Sequence, residues 1–394
     1  MEGKKGGKGR KEIFPKVYLI LLNYNGWADT IEALEGLCRQ DYPNFQIVIV
    51  DNNSSDNSLE YLQKWARGEL ELWLSSQNPL RKQTFPPIPK PVPYQLLTEE
   101  ELFLEGEGER FFEGERGSFS INRQISGVSR EKGEQNFPPL KNPVIFIASR
   151  ENRGFAGGNN LALRWAYSQQ DGEFFLLINN DTSAPPNFLS TFLSPILENK
   201  KGENTLLKLW GAKIYKYNPP HPLWFCGGEF RWRGSSHWER CPKEYPFKTQ
   251  FITGCLLLIP SSLLKRVGFL NEEFFLYVED QEFCSRALKK GFQNWINPEA
   301  FIYHKVGATT GKKGTKLEYY YTTRNKLLFC RDGCPNLFPF YAFFFIGTRL
   351  LRILQFKIEG KGDLAEGIWD GLVDFWIGRV GKWEKQQEPS PPKK

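Results

Sequence analysis

The sequence predicts an α/β fold, a mostly parallel sheet flanked by helices, with a long insertion and a helical C-terminal extension. Three observations carry this. Four continuous apolar runs each end in a polar cluster, and stretches with apolar residues at helical spacing separate them. Between the second and third runs the residues from 78 to 143 turn rich in Pro, Glu and Gly. After His304 the composition becomes basic and aromatic.

Val17 to Leu22 is apolar throughout and runs into Asn23-Tyr24-Asn25-Gly26, as a strand buried on both faces does when it meets a loop. Ile31, Leu34 and Leu37 then fall on one helical face. Gln46 to Val50 is the second strand, stopped by Asp51-Asn52-Asn53-Ser54, and Leu59, Leu62 and Trp65 mark the next helix. Within the 78–143 stretch, Glu99 to Glu115 hold eight Glu and one Arg. So little apolar surface cannot offset ordering entropy, which predicts a disordered or loosely attached insertion. The alternation resumes with Val144 to Ala148, the glycine-bearing loop Arg150 to Asn160, a helix with Leu161, Leu163 and Trp165, and the strand Phe174 to Ile178. Repeated strand–helix order implies a parallel sheet with right-handed crossovers. Shorter β-like pieces follow at Trp210–Tyr215, Phe225–Trp232 and Phe251–Ile259, then a helix at Glu279–Lys290 stopped by Gly291.

The 394 residues, 40% hydrophobic, exclude a disordered polymer, and seven cysteines exclude a disulfide-dense miniprotein. Those cysteines are scattered. Only Cys330 and Cys334 lie close, without a second pair at metal-ligand spacing, so they read as reduced cytosolic thiols. The start is basic without an apolar core behind it, and the longest apolar run, Leu337 to Gly347, is half a bilayer span and contains Pro339. The expectation is a cytoplasmic protein touching membrane only peripherally.

In open parallel sheets ligands bind beyond the carboxyl ends of the strands. Here four such ends are polar: Asn23 and Asn25, Asp51 and Asn53, the Arg153–Asn160 loop, and Asn179-Asn180-Asp181. Four together point to a nucleotide-like ligand. Asp51 could accept the N3–H of uracil or thymine, or cap a helix. Arg153 could reach a base or a phosphate, with Gly154, Gly157 and Gly158 permitting close backbone approach. Asn179 and Asp181 lie two apart and would face one side, which suits a hard cation completed by a diphosphate, or an ordinary turn. Glu279 and Asp280 open a helix, as capping residues or as a general base with its neighbour. His304 closes an apolar strand, as a structural histidine or a site residue.

In this order Asn23-Tyr24-Asn25, Asp51-Asn52-Asn53-Ser54, Asn152 to Asn160, Asn179-Asn180-Asp181, Thr253-Gly254-Cys255 and Tyr277-Val278-Glu279-Asp280 resemble the family 2 glycosyltransferases, nearest their rhamnosyltransferase-like branch. The resemblance spans 16–330 apart from the insertion and continues weakly to Gly381. It implies a GT-A-type fold and inverting transfer from a dTDP- or UDP-linked sugar, such as rhamnose, to a glycan or lipid-diphosphate-linked acceptor in cell-surface polysaccharide synthesis. It implies that Asp51 reads the base, within a donor site of Asn23, Asn25, Asn53, Arg153, Gly154, Gly157, Asn160 and Asn180. Asp181, with Asn179 and His304, would hold Mg²⁺ or Mn²⁺. Asp280 would be the base with Glu279 beside the acceptor, and Arg324, in an Arg-Asn pair with Asn325, would contact phosphate. The triplet Asn-Asn-Asp departs from the family's Asp-x-Asp. The competing readings are a sugar nucleotidyltransferase, for which the Gly-rich basic loop after the first strand is missing, and a non-catalytic membrane-surface or glycan-binding protein.

The expected organisation is a basic tail at 1–12, the transferase domain at 13–304, a helical extension at 305–381 and a flexible tail at 382–394. The net charge of +7 divides unevenly, since residues 305–361 carry 11 basic and 3 acidic residues while 13–304 carry 31 and 34. That excludes a uniformly basic nucleic-acid binder. Phe338, Phe340, Phe343, Phe344 and Phe345 beside Arg349, Arg352 and Lys357 suit either an element on anionic lipid or a buried helical subdomain.

Overall fold

The computed structural model describes residues 14–70, 74–103, 142–198, 205–231, 234–238, 240–306 and 314–385. In chain order these form β1 (Val17–Asn23), α1 (Trp27–Leu37), β2 (Phe45–Asp51), α2 (Ser58–Arg67), α3 (Arg81–Thr84), β3 (Tyr94–Thr98) and α4 (Glu99–Phe103). There follow β4 (Val144–Ala148), α5 (Gly154–Ser168), β5 (Phe174–Ile178), β6 (Thr182–Ser183), α6 (Phe188–Glu198), β7 (Lys208–Lys216), β8 (Leu223–Phe225), β9 (Gly228–Arg231) and β10 (Gly234–His237). The remainder is β11 (Phe247–Thr249), β12 (Leu256–Pro260), α7 (Ser261–Val267), α8 (Glu279–Lys289), β13 (Gln293–His304), α9 (Lys316–Gly333), α10 (Phe338–Ile358) and α11 (Gly362–Trp376).

One sheet runs β11-β13-β7-β12-β5-β1-β2-β4-β3. Its half from β5 to β3 is parallel, as the repeated strand–helix rhythm predicts, while β12 and β11 are antiparallel to their neighbours. The sheet as a whole is therefore mixed. β1 pairs with β2 on one side and β5 on the other, so strand order reverses around β1. In open parallel sheets ligands bind beside such a reversal, at the carboxyl ends, where here Asn23 lies in register with Asp51. Val17 to Leu21 are sealed between helices on both faces, which is why the run needs no polar alternation. Truncating Leu21 to Ala there would cost about 2–5 kcal/mol.

The 78–143 stretch departs from its expectation over residues 78–103. β3 adds to the sheet edge parallel to β4. The chain leading to it is anchored by Glu35, fully buried on α1, which accepts from Trp65 Nε1 (2.9 Å), Ile88 N (2.7 Å) and Lys90 Nζ (2.9 Å). Burying one carboxylate with three donors orders a segment that has little apolar surface of its own. Residues 104–141 lie outside the described ones, as does the basic tail at 1–12.

Two further expectations change. Cys226 and Cys241 form a disulfide (Cα–Cα 5.5 Å), so these two are not reduced thiols. The tail expected from 382 is docked at its start, where Trp383 is buried and stacked on Tyr320 at 4.4 Å, its backbone N–H donating to Tyr321 Oη. The large indole offsets the ordering of the residues around it. Residues 386–394 lie outside the described residues.

Candidate active site

At the strand ends a chain of hydrogen bonds is already complete. Asn23 Nδ2 donates to Asp51 Oδ1 (2.7 Å), and Thr30 Oγ1 donates to Asn23 Oδ1 (2.8 Å). Asn180 Nδ2 donates in turn to Thr30 Oγ1 (2.9 Å). Ser54 donates to both Asp51 oxygens, from Oγ (2.6 Å) and N (3.1 Å). Burial raises Asp51, while Ser54 and Asn23 pull it back toward the ionised form. Asn23 and Asn180 thus orient the aspartate and α1. Asn25 holds the following turn, its Oδ1 accepting Ser55 N at 2.7 Å. Asn53 is an exposed turn residue with φ 60°, where a short polar side chain is tolerated.

The glycine-bearing loop is committed to the protein. Phe155 N and Ala156 N, at the start of α5, both donate to Phe275 O (2.7 and 3.3 Å). Gly154 has φ +67°, and a Cβ there would lie 2.3 Å from that same carbonyl. The close backbone approach read from the sequence is therefore made to the 274–275 segment. Gly157 packs against Arg153 Cβ and Glu272, and Asn160 Nδ2 donates to Leu270 O (2.9 Å) and Glu272 Oε1 (2.8 Å). Gly157 and Asn160 thus serve packing of α5. Arg153 ion-pairs with Glu99, a buried residue of the expected insertion. Glu99 Oε2 also accepts Arg150 N at 2.9 Å.

Arg324 is fully buried, and all five of its N–H groups are used: Asn325 Oδ1, Tyr320 Oη, Gly381 O, Glu273 O and Phe274 O accept them. No donor is left for the phosphate contact implied by the resemblance. Its neighbour Asn325, also fully buried, directs Nδ2 at the carbonyls of Phe274, Leu276 and Tyr277, each at 2.8 Å. The clamped segment is strained, with Phe275, Tyr277 and Val278 all at φ between 59° and 74°. Non-glycine residues persist there only when their surroundings hold them. What they present is the start of α8, with Glu279 and Asp280.

Asp280 accepts from Gly254 N (2.9 Å) through Oδ2 and from Gln281 N (2.7 Å) through Oδ1. Burial raises it, and these backbone N–H groups work the other way, toward the carboxylate. Glu279 is pushed well above the usual carboxylate range by burial and by Asp280 beside it, and its buried Oε2 has no hydrogen-bond partner. Asp280 opens onto a cleft of about 150 Å³ lined by Trp224, Phe225, His237, Phe251 and Thr253 among others.

The third cluster is Asp181 and His304, both buried, with His304 Nε2 3.0 Å from Asp181 Oδ1. Burial alone would lower the imidazole, but Cys255 and Asp181 raise it to about 10. His304 Nδ1 is buried without a hydrogen-bond partner, and Trp224 from the cleft packs edge-on against the ring at 4.9 Å. The turn Thr253-Gly254-Cys255 joins the clusters. Gly254 N holds Asp280, the Cys255 thiol sits by His304, and Cys255 O accepts Asn179 N at 3.0 Å. A Cβ on Gly254 would come 2.9 Å from the Phe155 ring and 3.5 Å from Asp280 Cβ. Thr30, Ser54, Glu99 and Asn325 were not singled out for these roles in the sequence. Thr30, Ser54 and Asn325 lie close in sequence to residues that were, and Glu99 lies in the acidic stretch and carried no such signal.

For a divalent cation, among the described residues no group of three or more His, Cys, Asp or Glu side chains could hold one. Asp181 and His304 do offer an oxygen and a nitrogen side by side, a buried two-donor set that a diphosphate would have to complete.

Residues 18–78 match the family described as Glycosyl transferase family 2. A low-salt glycan biosynthesis hexosyltransferase, Agl10, of Haloferax volcanii is 26% identical over 268 residues, 61% of this chain and 78% of the relative. The dTDP-rhamnosyl transferase RfbF of Shigella flexneri is 22% identical over 198 residues, 48% of this chain and 64% of the relative, just under two thirds of its length. Among solved structures, Staphylococcus aureus TarS 1-349 with UDP-GlcNAc is similar with a TM-score of 0.47 and 14% identity, over 92% of this chain and 81% of that one. The mannosyltransferase PcManGT of Pyrobaculum calidifontis, with GDP-Man and Mn²⁺, is similar at 0.43 and 13%, over 95% and 89%.

Proposed function

We propose that this chain, whose fold is a GT-A-like α/β fold with a C-terminal helical extension, is an inverting glycosyltransferase using a nucleoside-diphosphate sugar donor and a glycan or lipid-linked acceptor. One observation carries the reading: a single turn, Thr253–Cys255, brings a cleft-facing carboxylate and the Asp181–His304 pair together, and hydrogen bonds from Asn180 through Thr30 and Asn23 lead on to Asp51. The base of the nucleotide lies against Asp51, whose Oδ2 carries only one protein donor and keeps a lone pair for a ring N3–H. The pyrimidine nucleotides UDP and dTDP present that donor, which favours them over cytidine. Rhamnose remains one candidate sugar, supported by the likeness to RfbF, and hexose another, supported by Agl10.

Asp280 takes the proton of the acceptor hydroxyl as that oxygen attacks the anomeric carbon from the face opposite the diphosphate. The carbon–oxygen bond to the sugar forms while the bond to the diphosphate breaks, and configuration inverts. The amides of Gly254 and Gln281 hold the carboxylate in place and pull it toward the ionised form, against the burial that raises it. Glu279, pushed well above the usual carboxylate range by burial and by Asp280, can donate a hydrogen bond to the acceptor while it carries its proton. Trp224 and Phe251 supply the apolar ring faces that sugar C–H groups pack on. Asp181 and His304 would hold Mg²⁺ or Mn²⁺, which when bound supplies positive charge for the departing diphosphate. Asn179 adds its backbone to the turn and is kept as a further metal candidate.

A panel of UDP-, dTDP- and GDP-sugars, read by release of nucleoside diphosphate, tests the reading. Turnover with a UDP- or dTDP-sugar that disappears in Asp280→Asn supports it. Pyrophosphate release from sugar phosphate and nucleoside triphosphate would replace it with a nucleotidyltransferase. No binding of UDP or dTDP by calorimetry would leave a non-catalytic protein.

A further inference from the structure

The fold leaves one large face without a partner among the described residues. Helix α10 buries Ala342, Phe345 and Phe356 against the rest of the extension. Its other side is apolar as well. Phe340, Phe343, Leu351, Leu354 and Ile358 are 78%, 86%, 70%, 57% and 79% exposed, at spacings that place them along one stripe. Gly347 continues the stripe, and a Cβ there would meet nothing within 4 Å. On α11, which follows after a turn of three residues, Trp369 and Trp376 are 54% and 62% exposed, seven positions apart and so on one side of the helix. Surface helices of soluble proteins turn charge outward. Here α10 turns out apolar side chains over about 30 Å of its length.

The surrounding charge selects the occupant. From Phe338 to Ile358 there are Arg349, Arg352 and Lys357 and no acidic residue. Helix α11 carries Asp363, Glu366, Asp370 and Asp374 and no basic residue, so the positive charge on this face belongs to α10. A second copy of the chain seated on this face would bring two positively charged helices together. An anionic phospholipid surface neutralises them and takes up the stripe, with tryptophans suited to the headgroup boundary. No helix among the described residues is long and apolar enough to cross a membrane, so such a helix lies along the surface.

We propose that α10 forms an in-plane docking surface for anionic phospholipid, with Phe340, Phe343, Leu351, Leu354 and Ile358 entering the acyl boundary and Trp369 and Trp376 of α11 at its edge. This surface stands on exposure and charge alone and does not depend on the transferase reading. Co-sedimentation of the full chain with phosphatidylcholine vesicles, with and without 30% phosphatidylglycerol, tests it. Binding should be at least tenfold tighter to the anionic vesicles and fall with added salt. The Phe343→Ser/Leu354→Ser variant, altered only at exposed positions, should lose tenfold or more of that binding with its unfolding midpoint and donor titration unchanged. Wild-type binding indifferent to phosphatidylglycerol would overturn the proposal. So would a variant that binds vesicles as well as wild type, or a concentration-dependent dimer, dispersed by the same substitutions, in a chain that ignores vesicles. The assay reads lipid and not sugar transfer, so its failure leaves the proposed reaction untouched.

Discussion

The two halves of the candidate site are held in different ways. Around Asp51 the supports are local to the strand ends: Asn23, Thr30, Ser54 and Asn180 come from elements that meet where β1, β2 and β5 stop. Around Asp280 the support is remote. Three carbonyl contacts from Asn325, and two more from Arg324, hold a strained segment from a helix about 50 positions further along the chain. The first half is a by-product of forming the sheet. The second exists only when the C-terminal extension has docked, so damage to that extension should reach Asp280 and spare Asp51.

The largest expected effect tests the half at Asp280 directly. Asp280→Asn should lower turnover by about 10²–10⁴-fold. It also exchanges one acceptor of a backbone N–H for a donor, so stability should fall by about 1 kcal/mol. Donor affinity by titration should stay near wild type, and near-normal turnover would remove Asp280 as the base.

Next, Asn325→Ala removes the side-chain donor to the carbonyls of Phe274, Leu276 and Tyr277, of which Phe274 O keeps Arg324 as a partner, and loosens the hold on the positive-φ residues. Unfolding free energy in urea should drop by about 2 kcal/mol, a unit or so for each amide N–H lost. Below the unfolding transition kcat should fall at least tenfold while donor Kd moves little. Equal damage to Kd would erase the distinction between the two halves.

Asp51→Asn should do the reverse. Loss of a charged acceptor for the base predicts roughly tenfold weaker UDP or dTDP binding by calorimetry. Turnover at saturating donor should be little changed.

The smallest effect concerns stability alone. Burial and Asp280 hold the Glu279 carboxyl well above the usual range. A carboxyl raised in the folded state contributes its stability below the unfolded value, about 4.3, and loses it as pH rises through the folded value. Glu279→Gln removes that loss. The variant should therefore melt at a higher temperature than wild type, by a margin that widens from pH 5 to pH 8. A constant margin would mean that Glu279 is not titrating in this window.

Legibility in the sequence followed the range of the interaction. Val144 to Ala148 and Phe174 to Ile178 could be read residue for residue, because a strand buried on both faces must be apolar at every position. Asn23 and Asp51 could be read as one end of the sheet, because strand ends in a parallel sheet share an edge. Arg324 could not be read. A buried arginine and one facing a phosphate look alike until its acceptors are known, and four of those five come from other parts of the chain or the turn before it. The same holds for Glu99, which sits in an acidic stretch that composition alone marks as solvated, and for Cys226 with Cys241, fifteen residues apart and without a distinctive spacing.

By itself, then, the sequence determined the strand–helix alternation, the four polar strand ends and the separate basic, aromatic extension. Those follow from periodicity and composition, which act between neighbours along the chain. Tertiary structure decided what each polar group is for. It gave Gly154 to the Phe275 carbonyl, Arg324 and Asn325 to the loop before α8, and the Gly254 N–H to Asp280. It also decided which face of α10 stays uncovered. The physical reason is that a buried donor must find an acceptor wherever the fold supplies one, and that partner is chosen in space and not along the chain.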